Sequence, residues 1–591
     1  MSLVGIRSII CTCGVLLCTA VYAISEDDAV AEILPKTTIA YLEISEPAKI
    51  IDGVLNHPLY AKATALDVVK AAYEQKQYKD FQTGLKLFET QLGMPWREAV
   101  AKTAGKGIVV AVDGATQGVA LVITAEEDAS QAKLLETLNN IARLDAALKG
   151  KPKPESLGDY RGVKGYKLNG AIIGLLGKRL IVCNNEEFAK KIVDAHLDHP
   201  TDNFAQSELL KAAQKNASGA LAFGLVDVAK LREAGIAKEA FTGKAENPAA
   251  ELLFGGLLST LKETPFATFA IRSVTSGLQA EVSMRHDRKW AGDQREYFFG
   301  SGGLGAAPAT SAPPGSLFSI RAHRDISGMW LRAGDLFNEK INEEMAKAES
   351  GISNLFAGKD FAEDILGVFG PQVEIVAALN DFPSGAPIPA IKLPGFAMVF
   401  ELKDPEAAIP ELRRNFQNAI GFFNIVGAMN GQPQFEIESE KSDGIQIISA
   451  TCVVDKRKLK DTAAIPIQYN FSPTAAFAGK RFVIASTRKI ASDLVHGNVT
   501  PTEKSADSTT VTNTAAELSG KPLRAALEAN REQLIVQNML QEGKSRAEAE
   551  AAIGVLLEVV GWFDRAALDL KTSNDNLTLT LDVKLDPSLA K

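Results

Sequence analysis

The sequence has little cysteine and few polar aromatic residues. Only five of its 591 residues are cysteine, and three of these, Cys11, Cys13 and Cys18, lie near the N-terminus. A disulfide-stapled scaffold is excluded, because such domains are small and dense in cysteine. We expect Cys183 and Cys452 to be buried free thiols in apolar strands, with a bridge between the two halves as the alternative. Phe (27) outnumbers Tyr (9) and Trp (4), which is typical of core packing.

Basic charge and long apolar runs are lacking as well. The net charge is -8, whereas a nucleic-acid-binding surface shows a basic excess, so we expect no nucleic-acid partner. A membrane span takes about 20 apolar residues, and no stretch after the N-terminus reaches that length. At the N-terminus, Arg7 precedes an apolar run over 9–21 that ends at Val21-Tyr22-Ala23. This pattern predicts a signal peptide, residues 1–23. The alternative is an uncleaved anchor, and only in that case do we expect contact with a membrane. The mature chain is then exported, either periplasmic or at the cell surface and extracellular.

Catalytic signatures are lacking too. No Gly-x-Ser-x-Gly, phosphate loop or His-Glu-x-x-His occurs. Gly300-x-Gly302-x-x-Gly305 matches the dinucleotide fingerprint, but prolines follow it instead of a helix, which favours a linker. His323-Arg324-Asp325 resembles a kinase catalytic loop, but Trp330 occupies the position that needs asparagine. We therefore interpret this triplet as the end of a strand.

A metal site has weak support. His196 and His199 flank Asp198, but a zinc site needs three or four converging ligands, and this segment has the pattern of a helix end. We predict no catalytic residue, no metal and no cofactor.

The chain does contain an internal duplication. The segment 177–182, Gly-Lys-Arg-Leu-Ile-Val, returns at 479–484 as Gly-Lys-Arg-Phe-Val-Ile. Around it, strands joined by hairpins alternate with helices, which predicts an α+β fold of two tandem duplicated domains. Each is a mainly antiparallel sheet of eight or nine strands with flanking helices. The predicted boundaries are a signal peptide at 1–23, a first domain at 24–299, a Gly/Ala/Pro linker at 300–315 and a second domain at 316–591.

Three motifs of the first half resemble an exported bacterial family of domains of unknown function. They are the opening Leu34-Pro35-x-x-Thr38-x-Ala40-Tyr41-Leu42, the segment Leu92-Gly93-Met94-Pro95-Trp96, and the Gly-Lys-Arg segment 177–182. The second half shares the resemblance through the internal duplication and lacks the Leu-Pro opening. The resemblance implies no activity, cofactor or site.

Two features are candidates for binding. In the repeated turns, Lys178, Arg179, Lys480 and Arg481 could offer cationic tips to an anionic partner. The structural alternative is that glycine supplies the turn and the cations stay in water. The second candidate is a Pro-rich insertion at 382–394, which replaces the tight Asp113-Gly114 turn of the first copy. Its apolar residues, with Phe382 and Ile388 among them, should pack on their own sheet or on a partner.

The leading functional hypothesis is an exported, non-catalytic protein that binds or scaffolds an unknown protein or envelope component. One alternative is a secreted or periplasmic hydrolase with dispersed site residues. The other is a carrier of a lipid or another apolar ligand, for which a large dry cavity would be the expected sign.

Overall fold

The computed structural model describes residues 29–149, 153–168, 170–313, 315–355, 358–382, 387–453, 465, 467–497 and 509–590. The predicted signal peptide, 1–23, lies outside the described residues. Within the described part of the chain, no helix combines the length and the apolar character needed to cross a membrane.

The chain divides into two compact units. Unit 1 comprises Met1–Lys238, Thr264–Met284 and Pro587–Lys591, and unit 2 comprises Glu239–Glu263 and Arg285–Asp586. The division differs from the boundaries drawn on the sequence, because residues 239–263 and 285–299 group with unit 2.

Ten strands form the sheet of unit 1. They are β1 (Thr38–Ile44), β2 (Ile108–Asp113), β3 (Gly118–Thr124), β4 (Glu155–Tyr160), β5 (Val163–Leu168), β6 (Ala171–Leu176), β7 (Arg179–Cys183), β8 (Ala222–Asp227), β9 (Phe266–Val274) and β10 (Gly277–Arg285). The described pairings within the unit are antiparallel and give the order β4-β5-β6-β7-β3-β2-β1-β8-β9-β10. Strand β1 pairs with β2 and β8, which joins the two halves of this sheet.

Two helices cover the β4–β7 part of this sheet. Helix Glu186–Asp198 buries Phe188 and Ile192 in the cluster that contains Ile181, and Leu134 of helix Asp128–Lys149 packs with Leu180. Successive residues of a strand point to opposite faces, so the two helices lie on opposite faces of the sheet. The other α-helices of unit 1 are Pro47–Asn56, Pro58–Ala65, Asp67–Tyr73, Lys76–Leu92, Trp96–Thr103, Glu208–Ala213 and Val228–Glu233.

Unit 2 has ten strands of its own. They are β11 (Ser316–His323), β12 (Phe369–Ala378), β13 (Gly395–Leu402), β14 (Phe435–Ser442), β15 (Ile445–Cys452), β16 (Thr474–Ala478), β17 (Arg481–Ala485), β18 (Val511–Ser519), β19 (Phe563–Thr572) and β20 (Asn576–Leu585). Their described pairings are again antiparallel, in the order β14-β15-β16-β17-β13-β12-β11-β18-β19-β20.

Four buried phenylalanines, Phe400, Phe416, Phe477 and Phe482, belong to one core cluster of unit 2. Helix Pro405–Met429 buries Leu412 and Phe416 against a cluster that includes Phe400 and Phe482. The other helices of this unit are Pro248–Glu263, Arg288–Ala291, Glu296–Phe299, Ile326–Leu331, Ala333–Leu336, Glu339–Leu355, Phe361–Ile365, Arg488–His496, Gly520–Ala529, Arg531–Glu542 and Arg546–Val560.

The α+β class and the mainly antiparallel sheets are confirmed. The described residues contain ten strands in each unit, where the sequence indicated eight or nine. Cys183 and Cys452 are confirmed as buried free thiols. Burial raises the pKa of both thiols, that of Cys452 to about 11, so both stay protonated at neutral pH.

A buried arginine ties together distant segments of unit 2. Arg324 is 1% exposed, and its guanidinium donates to the carbonyls of Leu252 and His323 and to the side chains of Asn513 and Thr514. It also lies 3.5 Å from the centroid of the Phe298 ring. Burial lowers the pKa of Arg324 to about 9, which leaves it charged at neutral pH.

A second buried charge lies on the same helix as the carbonyl of Leu252. Glu251 accepts two hydrogen bonds from Arg295, at 2.7 and 2.9 Å, and one from the Tyr297 hydroxyl at 2.8 Å. Each charged group therefore has partners, as a buried charge requires. These contacts explain why residues 239–263 and 285–299 belong to unit 2.

The stretch whose composition predicts a linker is hydrogen-bonded within unit 2. Gly305 donates its N–H to Phe299, and Ala307 donates to Thr512 in β18. A Cβ atom on Gly305 would lie 2.4 Å from the ring of His323, so only glycine fits there. Strand β11 ends at His323, as the sequence predicted.

The buried His286 predicts a pH dependence of stability. Burial is the main cause that lowers its pKa to about 4; Arg288 lowers it further and Asp287 opposes the shift. Its ring lies 2.9 Å from the Thr260 hydroxyl and stacks on Phe299. Because the unfolded state binds this proton near pH 6.5 and the folded state does not, stability is lost as the pH falls from about 6.5 towards 4.

We expect the protonation of His286 to make the free energy of unfolding about 3 kcal/mol lower at pH 4 than at pH 7. The substitution His286→Phe, which keeps an aromatic ring on Phe299, should remove this contribution. Urea unfolding at a series of pH values measures it. His323, whose pKa burial and Arg324 lower to about 4, titrates in both proteins and cancels. An identical pH dependence in the two proteins would contradict the assignment.

Candidate functional site

The two Gly-Lys-Arg turns share one backbone geometry. Gly177 and Gly479 have φ values of 54° and 58°, in the left-handed region that favours glycine. The residue after each glycine then accepts a hydrogen bond through its carbonyl: Lys178 from the N–H of Ala125 at 2.9 Å, and Lys480 from the N–H of Leu402 at 2.7 Å. Glycine therefore supplies the turn, as the structural interpretation of the motif holds.

The arginine of the unit 2 turn contacts the end of a helix. Arg481 donates to the carbonyl of Leu494, at 2.8 Å, in the last turn of helix Arg488–His496. In unit 1, burial and then the charge of Arg179 lower the pKa of His196, which lies in the last turn of helix Glu186–Asp198. A cation beside the carbonyls of a helix C-terminus is stabilising, so Arg481 has a structural task.

The lysines remain in water. Lys178 is exposed, and Lys480 is 65% exposed with its Nζ 3.8 Å from a carboxylate oxygen of Glu401. Of the four predicted binding cations, these two are therefore the ones presented to solvent.

A cavity of about 520 Å³ opens beside the turn of unit 2. Lys480, Arg481 and Glu401 line it, together with Glu374. The carboxylate of Glu374 is buried and accepts hydrogen bonds from the Thr310 hydroxyl and the Ser311 N–H. The polar groups that remain available for a ligand here are chiefly Lys480 and Glu401, a pair suited to a small zwitterionic or polar group.

The Pro-rich insertion is anchored at its C-terminal end. Asn470 accepts from the N–H of Leu393 and donates to the carbonyl of Ile391, and Asn530 makes the same pair of bonds with Lys392. Residues 383–386 lie outside the described part of the chain. Phe382 is half-buried and Ile388 is exposed, so the choice between packing on the sheet and binding a partner stays a prediction.

A polar pocket of about 290 Å³ lies at the end of β11. His323, Asp325, Glu296 and Arg332 line it. His323 is neutral at pH 7, because its pKa is lowered to about 4. Asp325 accepts from the N–H of Gly328 and so caps a helix. This arrangement is a small polar pocket in which Asp325 is already engaged as a helix cap.

The two histidines of the metal candidate lie at the C-terminal end of helix Glu186–Asp198. The rings of His196 and His199 are 6.2 Å apart, and Asp198 forms an ion pair with Arg161 at 2.6 Å. Among the described residues, no group of three His, Cys, Asp or Glu side chains is placed to hold a metal ion.

An apolar helix end in unit 2 is exposed, and the sequence had not singled it out. The exposed large side chains at the end of helix Pro405–Met429 are Phe422, Phe423, Ile425, Val426 and Met429. At 3.6 residues per turn, these five positions fall within an arc of about 160°. We call them the apolar helix end.

The opposite side of this helix is held by the strand that follows. Asn424 exchanges two hydrogen bonds, at 2.7 and 2.8 Å, with the backbone of Phe435 in β14. From Asn415 to Phe435 the sequence has no charged residue, a signal that could have identified the surface.

Comparison with known proteins adds little. No family model matches the chain, and no curated protein matches it either. Among solved structures, crystal form IV of TP0453 is similar at a TM-score of 0.22 and 7% identity, over 45% of this chain and 81% of that chain. Crystal form I gives a TM-score of 0.24 and 10% identity over 45% and 81%. A likeness of this size carries no conclusion about fold or function.

The turn of unit 2 offers a matched pair of substitutions. We expect Arg481→Met to lower the free energy of unfolding by about 1–2 kcal/mol, because the bond to Leu494 and the charge at the helix end are lost. We expect Lys480→Met, at the neighbouring exposed position, to change it by less than about 0.5 kcal/mol. Urea unfolding of both variants measures the difference. Equal losses in the two would show that Arg481 has no special structural task.

Proposed function

We propose that the protein is an exported, non-catalytic binding or scaffold protein, and that unit 2 contacts a protein or another envelope component through the apolar helix end. The exposure of that surface carries the proposal: Phe423 is 55% and Met429 82% exposed. Soluble proteins rarely expose contiguous apolar patches unless something covers them. The uncharged stretch Asn415–Phe435 makes the surface suited to an apolar partner.

We also infer that the two units arose by tandem duplication. Each places its first described strand, β1 or β11, at the centre of its sheet, and the strands around it pair in the same sequence. Strands β6 and β16 occupy the same place in their sheets, each followed by a Gly-Lys-Arg turn.

The apolar helix end predicts a separation of binding from stability. We expect the double variant Phe423→Ser/Ile425→Ser to keep its melting temperature, because both side chains are exposed, and to lose a bound partner. Native mass spectrometry of protein purified from its own host, with and without the substitutions, detects the partner as a mass difference.

The matched control is Leu540→Ser in helix Arg531–Glu542, which removes another strongly exposed leucine, at 81%. This variant should retain the partner. A partner that stays bound to the double variant would exclude the apolar helix end as its binding surface.

A further inference from the structure

Three glycines stand side by side across the edge of the unit 1 sheet. Gly158 of β4 is paired with Gly165 of β5, and Gly165 is paired with Gly174 of β6. Gly174 is paired in turn with Ile181 of β7. Neighbouring strands lie about 4.8 Å apart, so this glycine row is a straight strip of bare backbone about 10 Å long.

The glycine row forms the floor of an apolar pocket of about 190 Å³. All three glycines line it, and the side chains around them are mostly aliphatic. These are Leu157, Val163, Ile172, Leu176, Ile181 and Val193. Helix Glu186–Asp198 closes one side, where Ala189 presents only a methyl group. Asp159, Tyr160, Glu186 and Lys190 also line the pocket, so polar groups accompany its aliphatic side chains.

Unit 2 has side chains where unit 1 has the glycine row. The repeated turn aligns the two units, because Leu176 pairs with Arg179 in unit 1 and Ala478 pairs with Arg481 in unit 2. Two residues before each of these positions, Ala476 of unit 2 corresponds to Gly174 of unit 1. Ala476 is paired with Ile447, which takes the place of Gly165.

Both of these residues of unit 2 are buried. They belong to a packed cluster with Val483 and Leu494, the latter from helix Arg488–His496. The same framework is thus filled by side chains in one unit and left open in the other.

Glycine inside a strand has a cost, which makes the row informative. Gly158 has a φ of 87°, which favours glycine, but Gly165 and Gly174 each lose about 0.5–1 kcal/mol relative to alanine. In strands, glycine often marks the close approach of a ligand or another backbone. Gly165 and Gly174 do not need to be glycine for local reasons. A Cβ atom would meet its nearest neighbour at 3.5 Å on Gly165 and at 3.7 Å on Gly174, which are ordinary contacts, and neither has a positive φ.

We propose that this pocket binds the unbranched acyl chain of a single-chain amphiphile, with the chain lying along the glycine row. A strip of bare backbone among aliphatic side chains matches a linear hydrocarbon better than a branched or polycyclic one. The volume is below the roughly 300 Å³ at which pockets for drug-sized ligands begin, which suits part of one chain. The inference is independent of the apolar helix end and goes beyond the function proposed for it.

The mouth of the pocket is polar and carries both signs of charge. Lys190 forms an ion pair with Glu186 at 2.7 Å and lies 5.4 Å from the centroid of the Tyr160 ring. The Tyr160 hydroxyl donates to Asp194, which is also paired with Arg161. The head group would remain in water at this mouth. Two classes of molecule carry such a chain: fatty acids, whose head group is a carboxylate, and lysophospholipids.

The test is to fill the pocket with the residues that unit 2 uses. The double variant Gly165→Ile/Gly174→Ala and the milder Gly174→Ala should fold with equal or higher melting temperatures. Binding of laurate and of lauroyl-lysophosphatidylcholine, each below its micelle concentration, is measured by isothermal titration calorimetry on the full-length protein. We expect saturable binding of at least one to the unaltered protein, and affinity at least ten-fold weaker in the double variant.

The control is Gly84→Ala in helix Lys76–Leu92, where nothing lies within 4 Å of the added methyl and the pocket is untouched. It should bind as the unaltered protein does. If the unaltered protein prefers laurate and the Lys190→Gln variant loses that preference, the ligand is a fatty acid. If both probes bind equally well, the protein recognises the acyl chain alone. The proposal is overturned if neither probe binds, or if the filled variants bind with unchanged affinity. If the double variant fails to fold, the Gly174→Ala result decides in the same way.

Discussion

The burial of one guanidinium constrains the rest of unit 2. All three nitrogens of Arg324 donate hydrogen bonds, to the carbonyls of Leu252, Leu253 and His323 and to the side chains of Asn513 and Thr514. An arginine taken from water is tolerated only when such partners are present, and losing one partner of a buried charge typically costs several kcal/mol. Helix Pro248–Glu263, the end of the central strand β11 and strand β18 must therefore come together before the guanidinium can be buried with its partners.

Much of the framework could be predicted from the sequence, because its signals are local. Strict alternation from Leu577 to Leu585 marks β20, and paired apolar runs around the repeated Gly-Lys-Arg turn mark β6, β7, β16 and β17. Strands β4 and β14 were not identified. Their side chains are almost all exposed, so they lack the alternation that burial of one face imposes.

The role of Arg324 could not have been predicted in the same way. Its acceptors are mostly backbone carbonyls or lie far away in sequence, as Asn513 does, and a carbonyl has no residue type to recognise. The triplet His323–Asp325 therefore offered only a false resemblance to a catalytic loop. The glycine row was hidden for a related reason: Gly158, Gly165 and Gly174 form a feature only once the strands are placed in register.

The two units are interleaved along the chain, and this has a consequence for biosynthesis. Residues 239–263 belong to unit 2, residues 264–284 return to unit 1, and the chain then enters unit 2 again at residue 285. During synthesis, helix Pro248–Glu263 leaves the ribosome before β9 and β10 have completed the sheet of unit 1, and long before the β18 side chains that secure it. Glu251 of that helix is fully buried in the finished protein, so the helix lacks its final packing partners until the rest of unit 2 has been synthesised. No single cut in the chain yields an intact unit, so the two halves are inseparable as fragments.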